Sequence, residues 1–433
     1  MSFVMWSICA VMSLITVLPF AELCTVVPKS GSQYVYIQEA FKDFHPFYGQ
    51  MPGFIYVWIN FIFMRPASFA IHSLLSADYM YAIFIPAVGE EFDTHYSFLI
   101  KNFIGSVSLI IIGLINCQSV KIYIISQDLI TYFKMLLCLA LILVGAYMFM
   151  SEQAINFDMG FDNTTLTVAR LPLALYAGLY AFDGGSIVTG LTEEIKNPER
   201  TILRSLIMGL GVVTVTYLLL NLSFLSVLTV DEITTSSAVA KLFAEKVFGV
   251  QAGLVVSILV SFSSVGGNLS GIFYSSRLGY AAAKEGHMME FLCYIHRTRL
   301  TPTPAVILQV ALSLVFYYVG KSAETLINVY SFVLWLNYGF TMVALIILRV
   351  KNPQAWRPYK VPLVIPVAVL LISWLLVVTS LVTQPATTYI TAVVVLITGI
   401  KVQYWFVYKK KRIVGLTKLT TMLQKWLDVV PPS

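Results

Sequence analysis

The sequence predicts an all-α protein that crosses a membrane about eleven times, and three observations predict it. Apolar residues make up 58% of the 433 and charged residues only 12%, against roughly 25% charged in a soluble domain. The apolar residues gather in runs of the length that a hydrocarbon core demands, roughly 20 helical residues each. The basic residues gather in alternate loops between those runs, the asymmetry that orients membrane helices. The net charge of +6 is small, so the loop lysines and arginines point to orientation rather than to a nucleic-acid partner.

The first span runs from Phe3 to Leu23, with no polar tail ahead of it. A signal peptide would have a basic leader and a shorter apolar core, so this is read as a genuine span. Ten more segments follow, at about 52 to 80, 98 to 118, 126 to 150, 166 to 190, 205 to 228, 251 to 279, 303 to 319, 326 to 348, 361 to 382 and 388 to 408. The segment 52 to 80 contains Arg65-Pro66 and is read as one kinked, tilted helix, because two spans would need two full lengths. The stretch 263 to 271, Ser-Ser-Val-Gly-Gly-Asn-Leu-Ser-Gly, is read as a packing face, since small residues let helix backbones approach closely. Residues 1–408 form a transmembrane domain on this reading, and 409–433 a cytoplasmic tail. In the tail Leu416, Leu419, Leu423, Trp426 and Leu427 recur at helical spacing with Lys418 and Lys425 beside them. That pattern predicts an amphipathic helix on the inner membrane face, the alternative being a partner-binding or disordered tail.

Lys29, Lys42, Lys121, Lys196, Arg200, Arg204, Lys284, Arg297, Arg299, Arg349, Lys351, Arg357, Lys360 and the run Lys409 to Arg412 fall on one side. Glu90, Glu91, Asp93, Glu152, Asp158, Asp162, Asp231 and Glu232 fall on the other. The basic side is expected to be cytoplasmic, with the C-terminus inside. The acidic side carries a glycosylation candidate at Asn163 in Asn163-Thr164-Thr165. The five cysteines include no C-x-x-C pair, and no H-E-x-x-H, P-loop or G-x-S-x-G pattern occurs. Nothing therefore points to a metal, a cofactor or an enzyme.

The chemically informative stretch is Tyr180-Ala181-Phe182-Asp183-Gly184-Gly185. It lies in a segment apolar enough to cross a bilayer. A carboxylate at mid-depth costs about 2.5 kcal/mol or more, and each glycine weakens a helix by roughly 1 kcal/mol. Secondary transporters build midplane substrate sites at such helix breaks. The other reading is a glycine-rich packing face with Asp183 paired to a basic residue elsewhere. Tyr180 and Phe182 flank the carboxylate and are placed to cover a ligand or simply to pack. Arg65 and Lys134 are the other intramembrane charges of note, with His72 and Asp78 less central. Lys134 reads either as a fixed charge that replaces a bound sodium ion or as a lysine snorkelling to the headgroups.

Together the segments resemble the light chains of heteromeric amino acid transporters, the L-type family of the amino acid–polyamine–organocation superfamily. The resemblance rests on Phe20-Ala-Glu-Leu23, Lys29-Ser-Gly31, Tyr34-Val-Tyr36, Arg65-Pro66, Asn116-Cys-Gln-Ser-Val-Lys121 and Gln127-Asp128. It continues through Ala174-Leu-Tyr-Ala-Gly-Leu, Thr192-Glu-Glu-Ile-Lys-Asn-Pro198, Ser275-Ser-Arg277, Glu285-Gly-His287, Leu300-Thr-Pro302 and Val429-Val-Pro431. It implies a LeuT-like inverted-repeat fold in which the first helix of each repeat is unwound around the substrate. On this alignment the chain starts at the family's second helix, so it would hold helices 2 to 12. Tyr180 falls at the family's aromatic gate, Asp183 at a position that is acidic in relatives taking cationic amino acids and cystine, and Lys134 at the family's sodium-surrogate lysine.

The function implied is sodium-independent transport or exchange of cationic or neutral amino acids by alternating access. An integral protein of the plasma membrane is expected. The second reading is a truncated, non-transporting form that serves as a binding or regulatory membrane subunit. The resemblance also implies a single-span heavy-chain glycoprotein as partner, although the loop from Pro86 to Ser97 lacks the cysteine that would link to it. Gly185 stands where the family commonly has Trp, which implies a wider pocket.

The loop charges make a direct prediction. A cysteine at position 163 (Asn163→Cys) should react with an impermeant maleimide on intact cells, and one at position 410 (Lys410→Cys) should not. The reverse labelling pattern would invert the whole orientation.

Overall fold

The computed structural model describes residues 2–29, 31–88, 90–151, 171–190, 192–320, 322–383, 386–409 and 414–431. Asn163 and Lys410 to Arg412 lie outside them. Helix α1 (Ser2–Val26) leads through a turn to α2 (Gln33–Phe41) and then α3 (Met51–Ile59). A π-helical turn at Asn60–Met64 joins α3 to α4 (Arg65–Val88) without interruption. This is the single kinked span read from the sequence. Pro66 has no N–H to close an α-helical bond, and a wider turn just ahead of it absorbs the mismatch.

Long helices α5 (Glu90–Gln118) and α6 (Val120–Met150) follow, and then the segment expected at 166 to 190. Among the described residues that segment is two helices, α7 (Leu171–Ala181) and α8 (Gly185–Thr189). Next come α9 (Pro198–Val227), the short α10 (Val230–Thr235) and α11 (Val239–Phe248), and α12 (Val250–Lys284). Thr229 caps α10 in a reciprocal box with Glu232, and the hydrogen bond from Lys246 holds that carboxyl down at about 2. The chain ends with β1 (Ile295–His296), α13 (Thr303–Val319), α14 (Ala323–Lys351), α15 (Val364–Thr383), α16 (Ala386–Val402), α17 (Val414–Leu427) and β2 (Val429–Val430). Nine helices among the described residues are long and apolar enough to cross a membrane, and α7 and α13 are shorter apolar helices. Together they account for the eleven expected segments.

Burial sorts these helices into an interior and a shell. The apolar window of α3–α4 is 83% buried and that of α14 is 72% buried, while the other spanning helices are 17–33% buried. A helix apolar on all sides but only partly covered by protein presents the rest to lipid. The small-residue stretch of α12 does pack, as expected, and it packs on α4. A Cβ at Gly271 would stand 2.4 Å from the Phe69 ring, and one at Gly279 would stand 2.2 Å from the Phe61 ring. Only hydrogen fits between these backbones. Asn268 crosses the same seam, donating to the Phe69 carbonyl at 3.0 Å and to Ser73 Oγ at 2.9 Å.

The tail departs in part from its sequence reading. Leu423 and Leu427 of α17 pack on the cluster containing Phe291 and Leu292, and Trp426 is 79% exposed. Leu423 and Leu427 of the apolar stripe therefore rest on protein. Antiparallel pairing of β2 with β1, Ile295 opposite Val430 and His296 opposite Val429, fastens the end of the tail to the loop after α12.

The deepest charge cluster sits at the end of α1. Glu22 is fully buried, and both its oxygens accept from Arg349 of α14, at 2.9 and 2.5 Å. Its Oε2 also accepts the Val361 N–H at 2.8 Å, and Arg357 Nε lies 3.3 Å from Oε1 but off line for a hydrogen bond. One carboxylate thus ties α1 to α14 and to the loop before α15. Breaking such a buried pair costs roughly 3–5 kcal/mol, because the partner charges stay behind unpaired. Glu22→Gln is therefore expected to lower the thermal midpoint in detergent by about 5 °C or more. An unchanged midpoint by size-exclusion thermal challenge would show that the cluster adds nothing.

Candidate functional site

The break between α7 and α8 is built from the residues that weaken it. After Ala181 the helical ladder gives way to tight turns, with Phe182 N–H donating to the Leu179 carbonyl and Asp183 N–H to the Tyr180 carbonyl, both at 3.2 Å. Gly184 has φ of 126°, a conformation that costs an L-residue but not glycine. A Cβ at Gly184 would meet nothing within 4 Å, so backbone conformation and not space demands glycine there. Carbonyls freed by a break in an apolar medium need donors. Tyr217 of α9 supplies one, its hydroxyl donating to the Ala181 carbonyl at 2.8 Å.

Asp183 projects from this break onto α14. Its Oδ2 accepts from the Tyr330 hydroxyl at 2.6 Å and its Oδ1 from the Tyr338 hydroxyl at 3.0 Å. No lysine or arginine among the described residues forms an ion pair with it. The alternative in which Asp183 pairs directly with a basic residue is therefore not seen among the described residues, although Arg65 acts on its charge from a longer distance. Asp183 is thus held by two phenol donors, with the buried Arg65 guanidinium near enough to act on its charge but not paired with it.

The other residues of the stretch divide. Tyr180 is half-buried, with its ring edge-on to Tyr330 at 5.3 Å and tilted toward His72 at 6.4 Å. Its hydroxyl is buried beside Ser68 but outside hydrogen-bond geometry. Phe182 turns away, packing on Trp6 at 5.9 Å and Tyr217 at 5.3 Å. It wedges the break against α1 and α9 rather than covering a ligand. Gly185 opens no wide space on its side, because Val17 and Leu206 stand 3.0 and 3.5 Å from where a Cβ would be. The cavity bounded by Val17, Asp183, Gly185 and Trp335 holds about 20 Å³, room for a water but not for an amino acid.

Arg65 is buried with its guanidinium 5.0 Å from the Tyr274 ring centre and its Nε without a hydrogen bond. Lys134 is exposed on α6 and makes no hydrogen bond or ion pair among the described residues. Asp78 pairs with Lys101 at 2.8 Å, away from the break. Sequence reading missed Tyr330, Tyr338 and Tyr217. The first two lie eight residues apart in an apolar span, close to one helix face, and that spacing was the available signal.

Comparison with known proteins follows this geometry. The family model described as amino acid permease matches residues 1–402. The b(0,+)-type amino acid transporter 1 of Mus musculus is 34% identical, over 99% of this chain and 86% of its own length. The cystine/glutamate transporter of Homo sapiens is 35% identical, over 100% of this chain and 84% of its own. The large neutral amino acids transporter small subunit 2 of Mus musculus is 30% identical, over 100% of this chain and 80% of its own.

The donor role of Tyr217 can be tested apart from any activity. Tyr217→Phe keeps the ring against Trp6 and removes the hydroxyl that serves the Ala181 carbonyl. An orphaned buried carbonyl costs about 1–3 kcal/mol, so the thermal midpoint should fall by a few degrees. Tyr147→Phe, at a ring that is 70% exposed, should leave it unchanged. Equal midpoints for both variants would remove Tyr217 from the account of the break.

Proposed function

The chain belongs to the amino acid permease family, and from that premise we propose that it carries amino acids across the plasma membrane by alternating access. Residues 1–408 form the transporting domain, and the C-terminal tail lies in the cytoplasm. The reading rests on one observation above others: the Asp183 carboxylate at the helix break meets two tyrosine hydroxyls and forms no ion pair among the described residues. Relatives whose names specify b(0,+)-type, cystine/glutamate and large neutral amino acid transport support amino acids as the cargo. Asp183 then favours substrates with a cationic or extended polar side chain, since opposite charges attract by several kcal/mol at an effective dielectric near 20.

Lys134 supplies a fixed positive charge that makes a bound sodium ion unnecessary. A single-span heavy chain would have to be held without a disulfide from the stretch Pro86 to Ser97 at the α4–α5 junction, which contains no cysteine.

Purified protein in proteoliposomes tests this reading with a panel of radiolabelled amino acids. Uptake should continue when choline replaces sodium. Asp183→Asn should lower lysine and arginine uptake by about tenfold or more, equivalent to about 1.4 kcal/mol, and leucine uptake by less than about threefold. Equal losses for both classes would make Asp183 a structural residue. Collapse of uptake in choline would remove the role given to Lys134.

A further inference from the structure

The cavity beside Asp183 holds about 20 Å³, so an amino acid reaches the break only if the structure opens. The shortest piece next to the break is α8, five residues that follow Gly184. Nothing stands within 4 Å of a Cβ at Gly184, and its φ of 126° already lies outside helical space. A glycine with free space beside it can absorb the backbone rotation of a hinge.

Beyond that hinge the far end of α8 is tied down. Thr189 is fully buried, and its hydroxyl shares a hydrogen bond of 2.9 Å with the buried hydroxyl of Ser32. The Tyr36 hydroxyl reaches the Thr189 carbonyl at 3.4 Å, and the Gly31 N–H donates to the Gly190 carbonyl at 3.2 Å. Tyr274 of α12 covers Gly190 so closely that a Cβ there would stand 2.7 Å from its ring. The platform that holds α8 is α2 with the turn before it, and α2 is itself anchored. Gln33 accepts from the Thr341 hydroxyl of α14 at 3.2 Å, and the Tyr34 hydroxyl meets His287 Nδ1, just past α12, at 2.8 Å. Lys351 of α14 pairs with Asp43 just past α2.

Ser32 is held in an unusual state. It stands at the N-cap of α2, where a serine hydroxyl ordinarily accepts from a backbone N–H of the first turn. Here it makes no such bond, and its φ of 52° is a left-handed conformation that a serine adopts at a cost. Its hydroxyl is turned to Thr189 instead.

We propose that the Ser32–Thr189 contact is a latch that closes the transport path on the side of α2, and that α8 swings about Gly184 when Ser32 releases Thr189. The proposal rests on the transport reading given above. Once released, Ser32 can return to extended backbone and cap α2, so the turn has two arrangements and the lost contact is partly replaced. Lys29 and Lys196 flank the latched segments in sequence, which puts the latch on the basic side of the molecule.

A reporter cysteine in the cavity wall tests the latch without relying on transport. Ser13 lines the cavity and is buried, so Ser13→Cys places a thiol that is shielded while the latch is closed. In that background Thr189→Val and Ser32→Gly should each raise the rate of modification by a water-soluble maleimide, read at position 13 by mass spectrometry, about tenfold, the effect of one lost hydrogen bond on the open population. Glycine accepts the φ of 52°, so a faster rate in Ser32→Gly is not a misfit of the turn. Thr189→Ser keeps the hydroxyl and should leave the rate near that of the background. Thr216→Val, at an exposed hydroxyl bonded within its own helix, should not change it. Locking the latch gives the second arm. Ser32→Cys combined with Thr189→Cys and oxidised by copper phenanthroline should abolish uptake of a radiolabelled amino acid panel in proteoliposomes. Dithiothreitol should restore it, and neither single variant should respond to the oxidant. The latch is wrong if Thr189→Val and Ser32→Gly leave the rate at position 13 unchanged, if the two cysteines fail to cross-link, or if the cross-linked protein transports like its reduced form. If the unaltered protein takes up no amino acid, the transport reading fails by itself, and the modification rates still decide whether this contact closes the cavity.

Discussion

The contact between Asp183 and the hydroxyls of Tyr330 and Tyr338 is what the interior of this molecule is arranged around. A carboxylate in an apolar interior persists only if donors reach it. Here both donors come from α14, one of the two most buried helices. The contact therefore does two things at once. It holds the broken α7–α8 segment against an enclosed helix, and it does so without a direct ion pair to the carboxylate. Tyrosine suits both demands, since its hydroxyl hydrogen-bonds to the anion while its ring belongs to the apolar core.

A contrast within the same chain shows why that matters. Glu22 is also buried, but it is met by two guanidinium groups and a backbone N–H. Its charge is fully answered, and the result is a fastening between α1, α14 and the loop before α15. Asp183 has hydrogen bonds but no direct ion pair among the described residues. Two acids in one apolar interior thus differ in role because of their partners, an arginine pair for one and a tyrosine pair for the other.

The backbone obeys the same rule as the side chains. Interrupting a helix in an apolar medium frees carbonyls, and the Tyr217 hydroxyl accounts for that of Ala181. At Asn60–Met64 the disturbance made by Pro66 is absorbed by one wider turn, and the helix continues. One interruption therefore breaks the helical ladder and the other only widens a turn. The difference lies in Gly184, whose positive φ leaves the helical conformation where Pro66 merely removes a donor.

Much of this was legible in the sequence, for a physical reason. The length and polarity of a span are local properties set by the thickness of the hydrocarbon, so the eleven apolar segments and the break at Asp183-Gly184-Gly185 follow from composition along the chain. The packing role of the α12 glycines was legible for the same reason. Partners were not legible, because they come from helices far away in the chain. Tyr330 and Tyr338 are 147 and 155 residues from Asp183, and Arg349 is 327 residues from Glu22. Sequence pattern gave Phe182 the same standing as Tyr180, and only the packing on Trp6 and Tyr217 separated a wedge from a residue facing the site. The small side chain of Gly185 implied a wider pocket until Val17 and Leu206 were found to occupy the room. The sequence alone determined that a charge and a helix break share one depth in the membrane. Tertiary structure alone decided which groups answer them, because hydrogen bonds and close packing act over a few ångströms in space, whatever the separation along the chain.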